Sequence, residues 1–313
     1  MKKTICTGLL LLCTHVLFAQ HDSQISQYVF NQVLINPAYA GSTNMMEASM
    51  LQRTQYMGFK GAPTTWRLAV ASPFRLLDAD HGAAFTMMSD KIGYFDKMDF
   101  NFSYAYWFDL KDQSAKLGVG ISLGGTSYKI SPPADWAGLN DEAIPTQAES
   151  SSVGFDMGLG VYYKHESYFG SLSCLHLNQP KVLKLESGGK ALQVDRTFYL
   201  SGGYTWQTTE EFEVQPTGLL MVSTFTRPQF GLGVNVYYMQ KYNVGLAYRV
   251  MDAITVSFGL AIDESFRFGA AYEYPLSKLL GSNGGTFEVF ANYAFEIKLP
   301  KRKEKRYKSI RFL

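Results

Sequence analysis

The chain of 313 residues carries 29 lysines and arginines against 27 aspartates and glutamates, with only three cysteines. Its length allows one large β domain or two small ones. With Cys6 and Cys13 in an apolar leader, Cys174 stands alone beyond it, which excludes a scaffold stapled by internal disulfides.

The leader comes first. Lys2 and Lys3 precede a mostly apolar run from Ile5 to Phe18, and Ala19 offers a small residue for cleavage before Gln20. Leu17 at the third position before the cut is larger than the ideal. The run is shorter than the about 20 apolar residues of a membrane helix, and Leu12 stands where a lipid-attachment site at Cys13 wants Gly, Ala or Ser. Residues 1–19 are therefore expected to be a signal peptide. No second stretch is long enough for a membrane helix, so a chain that enters a membrane must do so as a closed barrel, because lipid satisfies no open backbone groups.

Residues 20–44 are not a strand. Gln24, Ser26, Gln27, Asn31 and Asn36 are interleaved with Tyr28, Phe30 and Tyr39, and Asn36-Pro37 and Gly41 favour a turn. Two readings stay open: a leader lying in or below a barrel, or a plug or docking segment.

From residue 45 onward the pattern alternates with a period of two. Met98, Phe100, Phe102, Tyr104, Tyr106 and Phe108 are spaced by smaller or polar residues, and the runs from Val153, Phe230, Ile254 and Phe287 repeat this. About fourteen such segments are expected, near 45–55, 64–71, 82–89, 97–109, 115–127, 152–164, 167–177, 196–206, 211–223, 229–239, 241–250, 253–262, 265–274 and 286–297. The predicted fold is all-β, a transmembrane antiparallel β-barrel over 45–297. Even-numbered connections are short, from two to about nine residues, whereas the odd ones include Lys129–Ser151 and Asn178–Asp195. Bacterial barrels have short periplasmic turns and longer external loops, which places both termini in the periplasm. Aromatic residues gather at the predicted periplasmic strand ends: Trp107, Phe108, Tyr162, Tyr163, Trp206, Tyr237, Tyr238, Tyr293 and Phe295. They read as an aromatic girdle at the interface with outer-membrane lipid.

The remainder, residues 298–313, is a basic tail. Seven of the basic residues lie between Lys301 and Leu313, opposed by Glu304 alone, so the rest of the chain after the leader is mildly acidic. A block of like charges is ordinarily solvated; the alternative is a periplasmic contact with an acidic partner or the cell wall.

The search for chemistry finds little. His21, His81, His165 and His176 have no metal-ligand spacing to one another or to Cys174. Ser173 and His176 are the right residue types for a hydrolase pair, but such pairs arise often by chance. The pairs Gly118/Gly120, Gly158/Gly160 and Gly231/Gly233 lack the following helix of a phosphate loop and suit the lumen face of strands. No catalytic residue, metal, cofactor or nucleic-acid partner is expected.

The run Gln24-Ile25-Ser26-Gln27-Tyr28-Val29-Phe30-Asn31, followed by Asn36-Pro37-Ala38-Tyr39-Ala40-Gly41, resembles the start of the PorP/SprF family of type IX secretion-associated outer-membrane proteins. Gly245-Leu246-Ala247-Tyr248-Arg249, Tyr272-Glu273-Tyr274-Pro275 and Gly284-Gly285-Thr286-Phe287-Glu288 agree with it. Pro275 stands where members often have Asp, and Phe287-Glu288 where they often have His-Glu. The resemblance implies a non-enzymatic barrel in the outer membrane of a Gram-negative bacterium. Its expected partners are a large secreted surface adhesin and other type IX components, in export, surface retention and gliding motility. Trp136 and Leu139 in the first long loop are candidate partner contacts. The rival readings are a core machinery component touching the periplasmic ring or cell wall, and a channel or solute transporter.

Overall fold

The computed structural model describes residues 22–110, 114–131, 149–150, 153–183, 192–224, 226–276 and 284–300. Fourteen long strands follow one another: β1 Met45–Thr54, β2 Thr64–Leu76, β3 Ala79–Ile92, β4 Phe95–Asp109, β5 Lys116–Ile130, β6 Gly154–Lys164, β7 Tyr168–Leu175, β8 Thr197–Tyr204, β9 Phe212–Ser223, β10 Gln229–Tyr238, β11 Tyr242–Arg249, β12 Ala253–Ala261, β13 Phe266–Pro275 and β14 Thr286–Glu296. Each pairs antiparallel with the next, and β14 returns to β1 in a register running from Met45↔Glu296 to Thr54↔Phe287. The result is a closed up-and-down barrel without free edges. No described helix is long and apolar enough to cross a membrane; this chain crosses with strands.

The alternation has a clear physical outcome. Phe102, Leu232, Val244, Leu246, Val256 and Phe258 all point outward and are more than half exposed. Inward positions hold Lys97, Asp99, Asp156, Glu273 and Glu288, all buried. In water this arrangement would be inside out; in a bilayer the apolar face meets acyl chains and the polar face meets the lumen.

All fourteen expected strands are present, though β2 to β5 are longer than their patterns. The expected nine-residue connection after β2 is only Leu77-Asp78. Both have positive φ, 52° and 61°, the mark of a two-residue hairpin turn. Connections after even strands define a short-turn end, and those after odd strands a long-loop end. Near the end of the connection 131–153, residues 149–150 pair back onto β5, and within the connection 176–196 Lys181–Leu183 pairs with Leu192–Gln193. Trp136, Leu139, the leader 1–19 and the tail from 301 lie outside the described residues.

One expectation needs correction. Phe108, Tyr163, Trp206, Tyr238, Tyr293 and Phe295 lie on outward-facing or exposed positions, but Trp107 is only 4% exposed and points into the lumen. Tyr162 and Tyr237 also point inward. Strand parity decides this: Trp107 shares the inward face of β4 with Asp99, Ser103 and Ala105, whatever its height along the barrel. The segment before β1 does not stay at one end of the barrel. Glu296 and Met45 are at the short-turn end, but Asp22 meets Lys97 near the start of β4 and His176 just past β7, towards the long-loop end. The intervening segment runs through the barrel.

Candidate functional site

Residues 22–42 fill the lumen. An enclosed segment must satisfy its own backbone or borrow partners from the wall. It does both. Three short 3₁₀ turns, Tyr28–Phe30, Gln32–Leu34 and Pro37–Tyr39, close hydrogen bonds such as Asn31 N to Tyr28 O at 3.0 Å and Ile35 N to Gln32 O at 3.1 Å. Asn36 caps the last turn, its Oδ1 accepting from Ala38 N at 2.8 Å, and Pro37 takes the first position, where no backbone N–H is needed. Ile25, Leu34, Ile35, Ala38 and Ala40 of the plug form a single apolar cluster with Leu51, Ala69, Ala84, Ala105, Tyr199, Met221 and Phe290 of the wall. The protein's core is therefore the seam between plug and barrel.

Towards the short-turn end the plug lies on bare backbone. A Cβ added to Gly82 would collide with Ala40 O, one on Gly120 with Ala38, and one on Gly160 with Asn36 Oδ1. Gly41, at φ +69°, approaches Gly82 equally closely. Asn36, fully buried, donates through Nδ2 to Ser171 Oγ at 2.7 Å and Val161 O at 2.9 Å. Trp107 donates its indole N–H to Ala40 O at 2.8 Å, and the ring of Tyr39 meets Tyr162 edge-on at 5.2 Å.

Higher in the lumen the lock is ionic. Glu288 accepts from Ser26 N at 3.0 Å and Gln27 N at 2.8 Å. Arg53 binds Glu273 at 2.6 Å and Glu288 at 3.2 Å and donates to Ser26 Oγ at 2.6 Å. Arg249 reaches Glu273 from the other side at 3.1 Å and also pairs with Asp252. Arg67 donates to Ser23 O at 2.9 Å, and Gln24 Nε2 to Gln229 at 2.7 Å.

The plug's first described residue is also buried. Asp22 takes Lys97 at 3.3 Å, His176 Nε2 at 3.0 Å and the Tyr199 hydroxyl at 3.1 Å, while His176 Nδ1 faces Asp156 at 2.8 Å. Burial alone would lower the His176 pKa, but the Asp22 charge and the bonds to Asp156 and Asp22 push it up to about 10. Burial alone would raise the Asp22 carboxyl, but His176 and Lys97 hold it well below its usual range. Ser173 does not address His176; its hydroxyl donates to Ile35 O at 2.5 Å. Both members of the sequence-level pair are engaged with the plug. Among the described residues no group of His, Cys, Asp or Glu is arranged to hold a metal.

The family model for the type IX secretion system membrane protein PorP/SprF matches residues 17–293. The chain belongs to the PorP/SprF family. The motif residues quoted at the start of the chain are the plug itself. The later PorP/SprF-like pieces carry Glu273 and Glu288, which accept from Ser26 and Gln27, and Arg249, which pairs with Glu273. Arg53, Asp156 and Gly82 escaped the sequence reading; their one signal was a charged or bare position on the inward parity of an otherwise regular strand.

Among solved structures, the monoaromatic hydrocarbon channel CymD is similar at 12% identity and a TM-score of 0.50, over 85% of this chain and 92% of that one. The toluene transporter TodX of Pseudomonas putida follows at 12% identity and 0.49, over 85% and 94%. The Ralstonia pickettii toluene transporter TbuX gives 14% and 0.48, over 85% and 93%. The CymD likeness shows the barrel fold and nothing about cargo. Comparison with curated proteins returns no match.

Proposed function

We propose that this PorP/SprF barrel is a non-enzymatic partner in type IX secretion. In this reading it sits in the outer membrane with its short-turn end in the periplasm, and helps to export or retain a large secreted adhesin that serves gliding motility. The observation that carries the reading is the plug: a lumen filled by residues 22–42 and locked at both heights suits a rigid platform better than an open conduit. The two longest connections, 131–153 and 176–196, share one end and offer the external contact surface, with Trp136 and Leu139 as candidate contacts. The outward Phe108, Tyr163, Trp206, Tyr238, Tyr293 and Phe295 would mark the membrane interface at the other end.

Deleting the gene and comparing surface and culture-medium proteins tests this. Loss of one large adhesin from the surface supports retention, and loss of all type IX cargo supports a core machinery role. Unchanged surface and medium proteins, together with solute-selective conductance in planar bilayers, would replace both with a channel.

A further inference from the structure

The outward face of β4 measures the membrane. Met98, Phe100, Phe102, Tyr104, Tyr106 and Phe108 share it, and Met98, Phe102, Tyr104 and Phe108 are exposed. At a rise of about 3.4 Å per residue, the stretch from Met98 to Phe108 covers about 34 Å of strand, and a tilt of about 40° leaves about 26 Å of height. That matches the apolar band of about 25 Å in such barrels. A second set of outward aromatics, Trp66, Tyr248, Tyr272 and Tyr274, lies near the long-loop ends of β2, β11 and β13. The long-loop interface therefore falls near Met98, and residues one step above it stand among lipid head groups.

One step above Met98 is Asp96, in register with Lys91 of β3 on one side and Lys129 of β5 on the other. All three have the outward parity of their strands. Lys60 joins them, because Gly93 N donates to Gly61 O at 3.0 Å and ties the β1–β2 connection to the β3–β4 turn. Lys60, Lys91 and Lys129 are exposed, and their ammonium groups make no ion pair or hydrogen bond among the described residues. A strand spacing of about 4.8 Å sets Lys91 and Lys129 about 10 Å apart, with the carboxylate between them. Two cations held apart in this way call for two anions, and Lys binds phosphate as a point charge. The carboxylate repels an anion seated over it and accepts from a hydroxyl. Below this row the outward Met87, Met98 and Phe100 offer an apolar surface for acyl chains.

We propose that this rim of β3–β5 is a docking surface for a lipid carrying two phosphates about 10 Å apart on a sugar head group, its acyl chains lying along β4. Lys91 and Lys129 take one phosphate each, Asp96 accepts a sugar hydroxyl between them, and Lys60 adds charge from above. That the leaflet is the external one rests on the function proposed above; the spacing and height of the charges do not.

The test titrates the full chain, delipidated in detergent, with diphosphoryl lipid A and follows the lipid-bound species by native mass spectrometry. Monophosphoryl lipid A and dioleoylphosphatidylglycerol are the comparison probes. One diphosphoryl lipid is expected to bind saturably, about fivefold or more tighter than either comparison. Lys91→Gln and Lys129→Gln should each weaken it about fivefold and erase the preference for the second phosphate. Lys241→Gln, at the opposite end on the β10–β11 turn, should leave binding unchanged, and thermal melting checks that each variant is folded. No saturable binding, equal affinity for all three lipids, or an equal loss with Lys241→Gln overturns the proposal. So does displacement by inorganic pyrophosphate at the lipid's own concentration, since the surface would then take free phosphate. If lipid binding follows these expectations while deletion of the gene leaves surface and medium proteins unchanged, the lipid site stands and the secretion role falls.

Discussion

Gly160 and Asn36 interlock: the Asn36 carboxamide oxygen occupies the place where a side chain on Gly160 would begin, closer than the 3.0 Å that real Cβ atoms keep. Gly231 has the same sequence signature and the same inward parity, yet a Cβ there would meet only Tyr248 O at 3.8 Å. Gly160→Val is expected to destabilise the barrel by about 1–3 kcal/mol through overpacking and to expose the plug to protease. Gly231→Ala should do neither. Thermal melting and limited proteolysis of the two variants side by side check this.

Trp107 and Trp206 carry the same side chain with opposite consequences. Trp107 holds Ala40 O from inside the barrel, while Trp206 is 60% exposed. Trp107→Phe leaves a buried carbonyl without its donor and should cost about 1–3 kcal/mol. Trp206→Phe keeps an aromatic ring outside the lumen and should stay within about 0.5 kcal/mol. The melting shifts of the two variants decide it.

The barrel was legible because lipid imposes a strict period of two, and Phe102, Leu232 and Val256 cannot satisfy it by chance. The plug was half legible. Its amides fitted a lumen or a periplasmic leader equally well, because both offer polar partners. What chooses between them is the wall, where Gly82, Gly120 and Gly160 clear a bed for residues 36–41. Trp107 was misread because height along a strand was weighed and parity was not. The ionic lock was invisible for another reason. Arg53 and Glu288 are 235 residues apart, and only closure of β14 onto β1 makes them neighbours.

That lock has an asymmetry that mutation can read. Arg53 serves two carboxylates that are otherwise enclosed in the lumen wall. Arg53→Met leaves Glu288 without its cation and Glu273 with Arg249 alone, and should cost about 3–5 kcal/mol. Adding Glu288→Gln removes one of the stranded charges, so the double variant should be more stable than Arg53→Met alone. A double-mutant cycle on melting free energies measures the coupling; additive losses would show that Arg53 and Glu288 act independently.

The Asp22–His176 contact makes the hold on the plug's first turn depend on pH. His176 is raised from 6.5 to about 10, so its protonation contributes in full below pH 6.5, declines as pH rises, and is gone above about 10. Asp22 is lowered below its ordinary 3.8, so its ionisation contributes in full above that value and is lost as pH falls further. The first turn of the plug should be held best from about pH 4 to 6.5 and loosen progressively towards pH 10. Hydrogen exchange at residues 22–27 should rise over that alkaline range beyond the intrinsic rate, while residues 36–41, held by Asn36 and Trp107, stay protected. His176→Gln keeps a ring-sized polar group but cannot titrate there; it should loosen the first turn at every pH and flatten the alkaline dependence. Identical pH profiles for the two proteins would show that the hold on Asp22 comes from Lys97 and Tyr199 instead.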